Sequence, residues 1–454
     1  MSALIRRFEN KVLTPYQSMS SSTNGYNWAI AFRISVGGQR LRVDTPVPKI
    51  PEVVKQEPRQ RPNLRVLMLD PAGSSVQVTH NLSNHLGKLG CTVHVFTAPH
   101  WMRAVGDCQR GSYRARIVFY RGTQLRSYAA VSRAATYFWR CVRLVQHIAA
   151  MLVVSSRARN FDLVHTQTLS VPLLDYIFLR MMARHTPLVC TVHELVPHNS
   201  KLRRLTGAAL SAIYRTARLL FVYTDYTRNR LVTELGIAAE KIVTIPHGST
   251  EHMLQLAGAP RRTEPEMPIV LFIGGIRRDK GLDILMQAAW HLRRKVPSFK
   301  IQVAGAPGFD LTTINRLITE LGIQDLVEFR LGYVPEREFA AYLSNATVVA
   351  LPYRRIEQSG VAIAACTFGK AIVATRCGGV EELVTSAGNG LLVPVDDPVA
   401  LAEALALLLT DDEKRRRFEA RSHNYTREIL AWEPIAAQTL AGYQTVLKQS
   451  PNSK

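Results

Sequence analysis

The feature that most constrains this 454-residue chain is a short apolar run that recurs without polar alternation, each time followed by a turn and a stretch of helical period. Leu64-Arg65-Val66-Leu67-Met68-Leu69-Asp70 is the first. The loop Pro71-Ala72-Gly73-Ser74-Ser75 follows, then a helix pattern with Val78, Leu82, Leu86 and Leu89 on one face and Gly90 as its stop. Similar runs stand at 93–97, 161–165, 188–192, 219–223 and 242–245. A strand that is apolar throughout is buried on both faces, as in a parallel sheet covered by helices. A polar, Pro-rich break at 257–268 interrupts the series. The alternation restarts at 269–273 and continues at 300–304, 326–330, 347–351 and 371–375. The expected fold is α/β: two tandem doubly wound parallel-sheet domains facing a cleft. Their predicted limits are 63–256 and 269–430, with the linker at 257–268. A final helix at 431–454, with Ile435, Leu440 and Tyr443 at helical spacing, follows the second domain.

Residues 1–62 show no sustained period and end in Pro46, Pro48, Pro51, Pro58 and Pro62, which predicts a flexible tail. The six cysteines never fall at Cys-x-x-Cys spacing and are too sparse for a disulfide scaffold, so a reducing, cytoplasmic setting is expected. The first residues lack the apolar core of a signal peptide, and no long uncharged apolar run predicts a membrane span.

The net charge of +22 is concentrated. Between Trp101 and Phe161 there are eleven Arg, no Lys and a single acid, Asp107. A second basic stretch holds Lys201, Arg203, Arg204, Arg215 and Arg218. Clustering of this kind marks a face for an anionic partner, although a single basic helix is also what a solvated surface looks like. The segment 137–154 is apolar and aromatic with interspersed Arg, which predicts a helix lying in a membrane interface rather than crossing it; its alternative is a helix packed on the sheet. Nucleic acid is not expected, because single-stranded binders interleave basic and stacking aromatic residues along one groove and most aromatics here read as core.

Ligands of doubly wound sheets bind at the carboxyl ends of the strands. Three loops of the second domain have the chemistry of a phosphate site there. Gly274-Gly275-Ile276-Arg277-Arg278-Asp279-Lys280-Gly281 gives backbone room and two cations. Glu357-Gln358-Ser359-Gly360-Val361 opens an Ala-rich helix whose first N–H groups and positive dipole end face an anion. Arg376-Cys377-Gly378-Gly379-Val380-Glu381-Glu382 is another glycine turn into a helix. Each alone is compatible with a tight turn; three on one sheet edge point to a site.

These residues resemble the GT-B nucleotide-sugar glycosyltransferases of family 4. The likeness covers about 64–441 and rests on Gly-x-Ile-Arg-x-x-Lys-Gly, on Gln-Ser-Gly-Val, and on Phe-Gly-Lys-x-Ile-Val-Ala-Thr-x-x-Gly-Gly-x-x-Glu. It implies that Gly274, Arg277 and Lys280 hold the donor diphosphate and that Gln358, Ser359, Gly360 and Val361 contact it. It also implies catalytic places for His193, in Val192-His193-Glu194, and for Glu357, the first acid of the family's Glu-x7-Glu. The second acid of that pattern, which meets the ribose, is replaced by Ala365; anchoring on Gly369 instead puts Ile356 in the first place. Glu382 is the remaining donor-side acid, with a helix N-terminal role as its alternative. Gly73, Ser74 and Ser75 stand where relatives carry an acceptor-side loop. In this fold the last helix crosses back to the first domain.

The expected activity is therefore transfer of a sugar from a nucleotide sugar, such as a UDP- or GDP-sugar, to a saccharide or lipid-linked acceptor, with retention of configuration. The expected location is peripheral at the inner face of the cytoplasmic membrane. No metal and no cofactor are expected: the chain contains no Asp-x-Asp, no phosphate-loop Gly-x-x-x-x-Gly-Lys-Ser/Thr, no strand-linked Gly-x-Gly-x-x-Gly and no zinc spacing. Two alternatives stand beside this reading. One is a sugar-nucleotide epimerase of the same fold, which needs a carboxylate pair that the sequence does not identify. The other is a lapsed enzyme serving as a membrane or nucleic-acid binding protein, favoured by Ala365.

Overall fold

The computed structural model describes residues 31–36, 39–44, 63–73, 75–99, 101, 111–121, 133–195, 203–257 and 267–449. Residues 1–60 form a unit of their own, in which β1 (Ala31–Val36) pairs antiparallel with β2 (Gln39–Asp44). A strand pair thus stands within the stretch read from sequence as a flexible tail. Phe32, Ile34 and Val36 alternate with polar residues, as do Leu41 and Val43, and the register leaves only Gly37-Gly38 between the strands. That is a period of two on either side of a hairpin-type dipeptide, hidden by the Pro-rich run that follows.

The first domain is a seven-stranded parallel sheet in the order β5-β4-β3-β6-β7-β8-β9. Its strands are β3 (Arg65–Asp70), β4 (Thr92–Thr97), β5 (Arg114–Ile117), β6 (Leu163–Thr166), β7 (Leu188–Val192), β8 (Leu219–Val222) and β9 (Ile242–Thr244). The central β6, β7 and β8 are buried at every position, which is why their sequences do not alternate. Helix α1 (Val76–Lys88) covers one face. Helices α2 (Arg133–Ala158), α3 (Pro172–Met182), α4 (Arg203–Thr216) and α5 (Asp225–Leu235) cover the other, through residues such as Met151, Val154, Leu179, Ile213 and Leu231.

The second domain is a six-stranded parallel sheet in the order β12-β11-β10-β13-β14-β15. It comprises β10 (Ile269–Ile273), β11 (Lys300–Gly305), β12 (Val327–Leu331), β13 (Val348–Leu351), β14 (Ala371–Thr375) and β15 (Gly390–Val393). Its helices are α6 (Glu251–Ala257), α7 (Leu282–Leu292), α8 (Thr312–Leu321), α9 (Glu336–Asn345), α10 (Gly360–Thr367), α11 (Gly378–Ala387), α12 (Pro398–Thr410) and α13 (Asp412–Glu428). Met253 of α6 already lies in this domain's core beside Leu430, so the chain enters the second domain ahead of the break read from sequence, whose residues 258–266 lie outside the described ones.

The last helix, α14 (Trp432–Lys448), packs on the first domain. Trp432, Ile435, Ala436, Tyr443 and Val446 join Leu163, Val189, Leu219 and Phe221 in one core. At roughly 1.5–3 kcal/mol for each fully buried large apolar side chain, this helix is a major term in that domain's stability. A polar contact specifies its docking: the Tyr443 hydroxyl lies 2.6 Å from Nδ1 of the buried His165, whose Nε2 is 2.8 Å from Thr191 Oγ1. Burial holds His165 neutral, with its pKa pushed down to about 3. The two chain crossings between the domains run together: Ser249 N–H donates to Leu430 O at 2.8 Å, and the Trp432 indole N–H donates to Ser249 O at 3.0 Å.

Both sheets reverse their strand order at the middle, between β3 and β6 and between β10 and β13. Two loops diverge at each reversal and leave a crevice at the strands' carboxyl ends.

Candidate donor site in the cleft

The second-domain crevice opens into a cavity of about 210 Å³. Its floor is the turn after β10. Gly274 has φ of 110°, and a Cβ on the neighbouring Gly305 would lie 1.7 Å from Gly274 O, so the chains meet too closely for any side chain. Gly281, at φ 67°, starts α7 with its Cα against Pro352 O, where a Cβ would sit at 1.9 Å. These contacts draw the loop carrying Arg277 and Lys280 against the end of β13.

Arg277 and Lys280 both line the cavity. The Arg277 guanidinium donates two hydrogen bonds to Asp279, at 3.0 and 2.8 Å. Burial works to raise the Asp279 pKa, but the hydrogen bonds and charge of Arg277 outweigh it and hold the carboxyl below its usual range. Lys280 is largely enclosed, with Nζ 3.6 Å from the centroid of the buried Tyr353 ring. Desolvation, reinforced by the Arg277 charge, lowers its pKa to about 8. The cavity therefore holds a partly neutralised Arg and a Lys short of counter-charge, a pair suited to a polyanion.

The opposite wall is the N-terminus of α10. Ser359 is its cap and accepts from Ala362 N at 3.2 Å through Oγ. The N–H groups of Gly360 and Val361 belong to the first turn, which has no intrahelical acceptors. Gln358 also lines the cavity, and its Nε2 is buried without a partner. A buried amide donor left unpaired costs about 1–3 kcal/mol, recovered when a ligand oxygen arrives.

From the first domain, Glu194 closes the cavity at the end of β7. Beside it His193 packs edge-on to Tyr223 at 5.2 Å, and Tyr223 packs on His247 at 4.8 Å. Burial, then the His247 charge, pushes the His193 pKa down to about 3, so the ring is neutral, and its shielded Nε2 has no partner. It is a second polar atom in wait for one.

Glu357 and Glu382 take another place. Glu357 is buried, with Oε2 accepting from Leu195 N at 2.7 Å and Oε1 from Arg230 Nη1 at 2.7 Å. Glu382 accepts from Asp225 N at 2.9 Å and Tyr226 N at 3.1 Å, capping α5 of the first domain, and burial raises its pKa. In this arrangement both acids tie the two domains together. Ala365 is fully buried in the second domain's core, away from the cavity.

Gly73 and Ser75 lie at the end of β3, outside the cavity, and Ser74 lies outside the described residues. Gly73 N–H donates to Asp70 Oδ1 at 3.1 Å, and Thr79 and Thr168 hydroxyls also donate to this buried carboxylate, whose pKa burial raises. Sequence reasoning missed Asp70, Asp279, Tyr353, Glu194 and Arg230. The first four stand inside or beside runs it used; Arg230, in mid-helix, carries no local signal.

On the outer face of the first domain, α2 exposes Tyr137, Phe138, Trp139, Leu144, Val145, Leu152 and Val153. By length and composition its segment Tyr137–Ala158 also meets the requirements of a membrane span, where the sequence reading expected none. One face of it is nevertheless committed to protein: His147 is buried, with Nε2 2.8 Å from Asp175 Oδ1 and Nδ1 3.0 Å from the Tyr120 hydroxyl.

Two parallel-sheet α/β domains with a cleft between their carboxyl edges define the GT-B class. The likeness to solved structures agrees: the structure of Anabaena Alr3699/HepE in complex with UDP and glucose superimposes with a TM-score of 0.61 at 17% identity, over 84% of this chain and 100% of that one. Residues 75–249 match Glycosyltransferase Family 4 and residues 259–425 match Glycosyl transferases group 1, and the chain belongs with the GT-B glycosyltransferases that resemble family 4. It is 31% identical to a D-inositol 3-phosphate glycosyltransferase of Corynebacterium urealyticum, over 49% of this chain and 53% of that protein. A GDP-mannose-dependent alpha-(1-6)-phosphatidylinositol monomannoside mannosyltransferase of Mycolicibacterium smegmatis is 26% identical over 51% of this chain and 63% of its own length. The chain thus spans about half the length of the first curated relatives it matches.

Proposed function

We propose that this protein transfers a sugar from a nucleotide sugar to an acceptor bound against the first domain. The observation that carries the reading is the convergence of Arg277, Lys280, the α10 N-terminus and the unpaired Gln358 amide on one cavity. A nucleoside diphosphate gains negative charge as it leaves, and fixed cations and N–H donors aimed at it stabilise the transition state. The donor diphosphate displaces Asp279 from Arg277 and supplies the counter-charge that Lys280 lacks. His193 meets the transferred sugar through its neutral ring, and Glu357, bonded to Leu195 N–H and Arg230 across the cleft, positions the β7 loop that carries His193. Because two side-chain cations and a helix terminus carry the leaving group, the reaction is proposed to need no divalent metal and no cofactor. The family likeness supports retention of configuration.

The acceptor is proposed to be lipid-linked and the protein to work at an anionic membrane surface on the cytoplasmic side. The exposed apolar face of α2, set among Arg140, Arg143 and Arg157, supports this, as does the lipid named for the mycobacterial relative. The test is a thermal-shift panel of UDP, GDP, ADP and their sugar conjugates with EDTA present. A rise with one nucleotide identifies the donor base; no rise with any of them sinks the donor site and leaves a lapsed enzyme.

A further inference from the structure

Helices α2 and α3 lead into the amino ends of β6 and β7, so they finish side by side at the sheet edge remote from the cleft. Between their ends lies a second cavity, of about 130 Å³. Arg159, Arg184 and His185 line it together with Ser155, Ala158 and Met181, and no acid does. The nearest acid in sequence, Asp162, is already paired with Arg65 at 2.9 Å.

Cations at helix ends ordinarily serve the last carbonyls. Here those carbonyls are engaged by other groups. Asn160 N–H donates to Arg157 O at 2.9 Å, Phe161 N–H to Ala158 O at 3.1 Å, and the Thr186 hydroxyl to Ala158 O at 3.2 Å. On α3, the N–H groups of His185 and Thr186 both reach Met182 O, at 3.0 and 2.9 Å. Arg159 Nη2 donates to the His185 ring nitrogen at 3.1 Å rather than to a carboxylate. Ser155 Oγ, which faces the same cavity, is shielded from water and has no partner. Two arginines, both exposed, and a hydroxyl without a partner line a space large enough for a phosphate.

The cavity also adjoins apolar surface. On α3, Leu173, Ile177 and Met181 recur at four-residue spacing and are all exposed; on α2, Leu152 and Val153 are exposed one turn before the cavity. A second copy of the chain would bring the same Arg-rich rim against this one, so like charge argues against self-association here. A phosphate joined to apolar chains satisfies both surfaces.

We propose that this cavity binds the phosphate of an anionic phospholipid headgroup, with the lipid's chains against the Leu173, Ile177 and Met181 stripe. This rests on the membrane-surface reading above and adds to it a defined lipid site. Co-sedimentation with vesicles of phosphatidylcholine alone, and of phosphatidylcholine with phosphatidylglycerol or phosphatidic acid, tests it. Arg159→Gln/Arg184→Gln should lower partitioning onto both anionic vesicles by roughly tenfold or more, with the ligand-free melting temperature unchanged. Arg140→Gln/Arg157→Gln removes the same charge outside the cavity and should lower it less. Ser155→Ala, which changes no charge, should also lower it.

Equal losses in the two double variants would reduce the site to diffuse attraction and overturn the proposal. No partitioning of the unsubstituted protein onto any vesicle would sink the membrane reading and the lipid site together. Thermal stabilisation by inorganic phosphate that the double variant loses, with vesicle binding unaltered, would replace the lipid by free phosphate and overturn the lipid assignment. Unaltered partitioning of the Arg159→Gln/Arg184→Gln variant overturns the site while leaving the membrane reading standing.

Discussion

The molecule carries two cationic regions that treat charge in opposite ways. In the cleft, Arg277 is half-buried and matched by Asp279, while Lys280 is largely enclosed and pushed toward neutrality. On the outer face, Arg140 and Arg157 are exposed beside aromatic and aliphatic side chains that are exposed as well. Cations lining a cavity and fixed by neighbouring groups act at short range and with specific geometry; exposed ones act over a Debye length, about 8 Å at physiological ionic strength, and are weakened by salt. The first arrangement suits one ligand held in one pose, the second an extended anionic surface.

The sharpest way to break this contrast is Arg277→Ala. Transfer should fall by about 10²–10³, the usual effect of removing one prepositioned transition-state donor, and nucleoside-diphosphate stabilisation should shrink at every salt concentration. A loss that salt alone reproduces would put Arg277 in the same category as the outer arginines. Those should behave otherwise: Phe138→Ser/Trp139→Ser is expected to cut binding to anionic vesicles by roughly tenfold or more, and raising the salt should weaken even the unsubstituted protein. Binding indifferent to both would remove the outer face from the comparison.

Lys280 gives a smaller effect with a definite sign. Its pKa in the folded protein is about 8, below its ordinary value, so its charge is lost as pH rises through 8. Diphosphate affinity, measured by calorimetry, should drop by up to about tenfold between pH 7 and 9, and Lys280→Met should flatten that profile. The stability of the free protein responds oppositely. Between pH 8 and the unfolded chain's higher Lys value, the unfolded state binds more protons, so this group makes stability rise with pH. Parallel trends in affinity and stability would refute the assignment. Smallest is Tyr443→Phe, which leaves His165 short of one partner and should cost about 1–2 kcal/mol in denaturant unfolding without touching either cationic region.

How much of this was legible in the sequence follows from how local each feature is. The inner strands of both sheets were legible because burial on both faces removes alternation, as at Val348–Leu351, whereas the partly exposed edge strands β5 and β15 carry no such run and were missed. The loop that brings Arg277 and Lys280 to the cavity was legible because its glycines and cations occupy eight consecutive positions. Glu357 was not, because its partners Leu195 and Arg230 lie 162 and 127 residues away, and no local pattern encodes such a pairing. Glu382 was half legible: an acid near a helix start was foreseen, but the helix it caps belongs to the other domain. The strand pair of β1 and β2 was missed by attention to composition over period.

The paired crossings at Ser249 and Leu430–Trp432 have a mechanical consequence. Two covalent connections that lie together and are hydrogen-bonded to each other act as a single axis, so the domains are left essentially one rotation. Rotation that separates the domains breaks the carboxylate contacts of Glu357 and Glu382 together, because both reach N–H groups of the opposite domain. The two acids therefore act as a double latch across the cleft, on the side away from the crossings, and neither can let go while the other holds the domains at this distance.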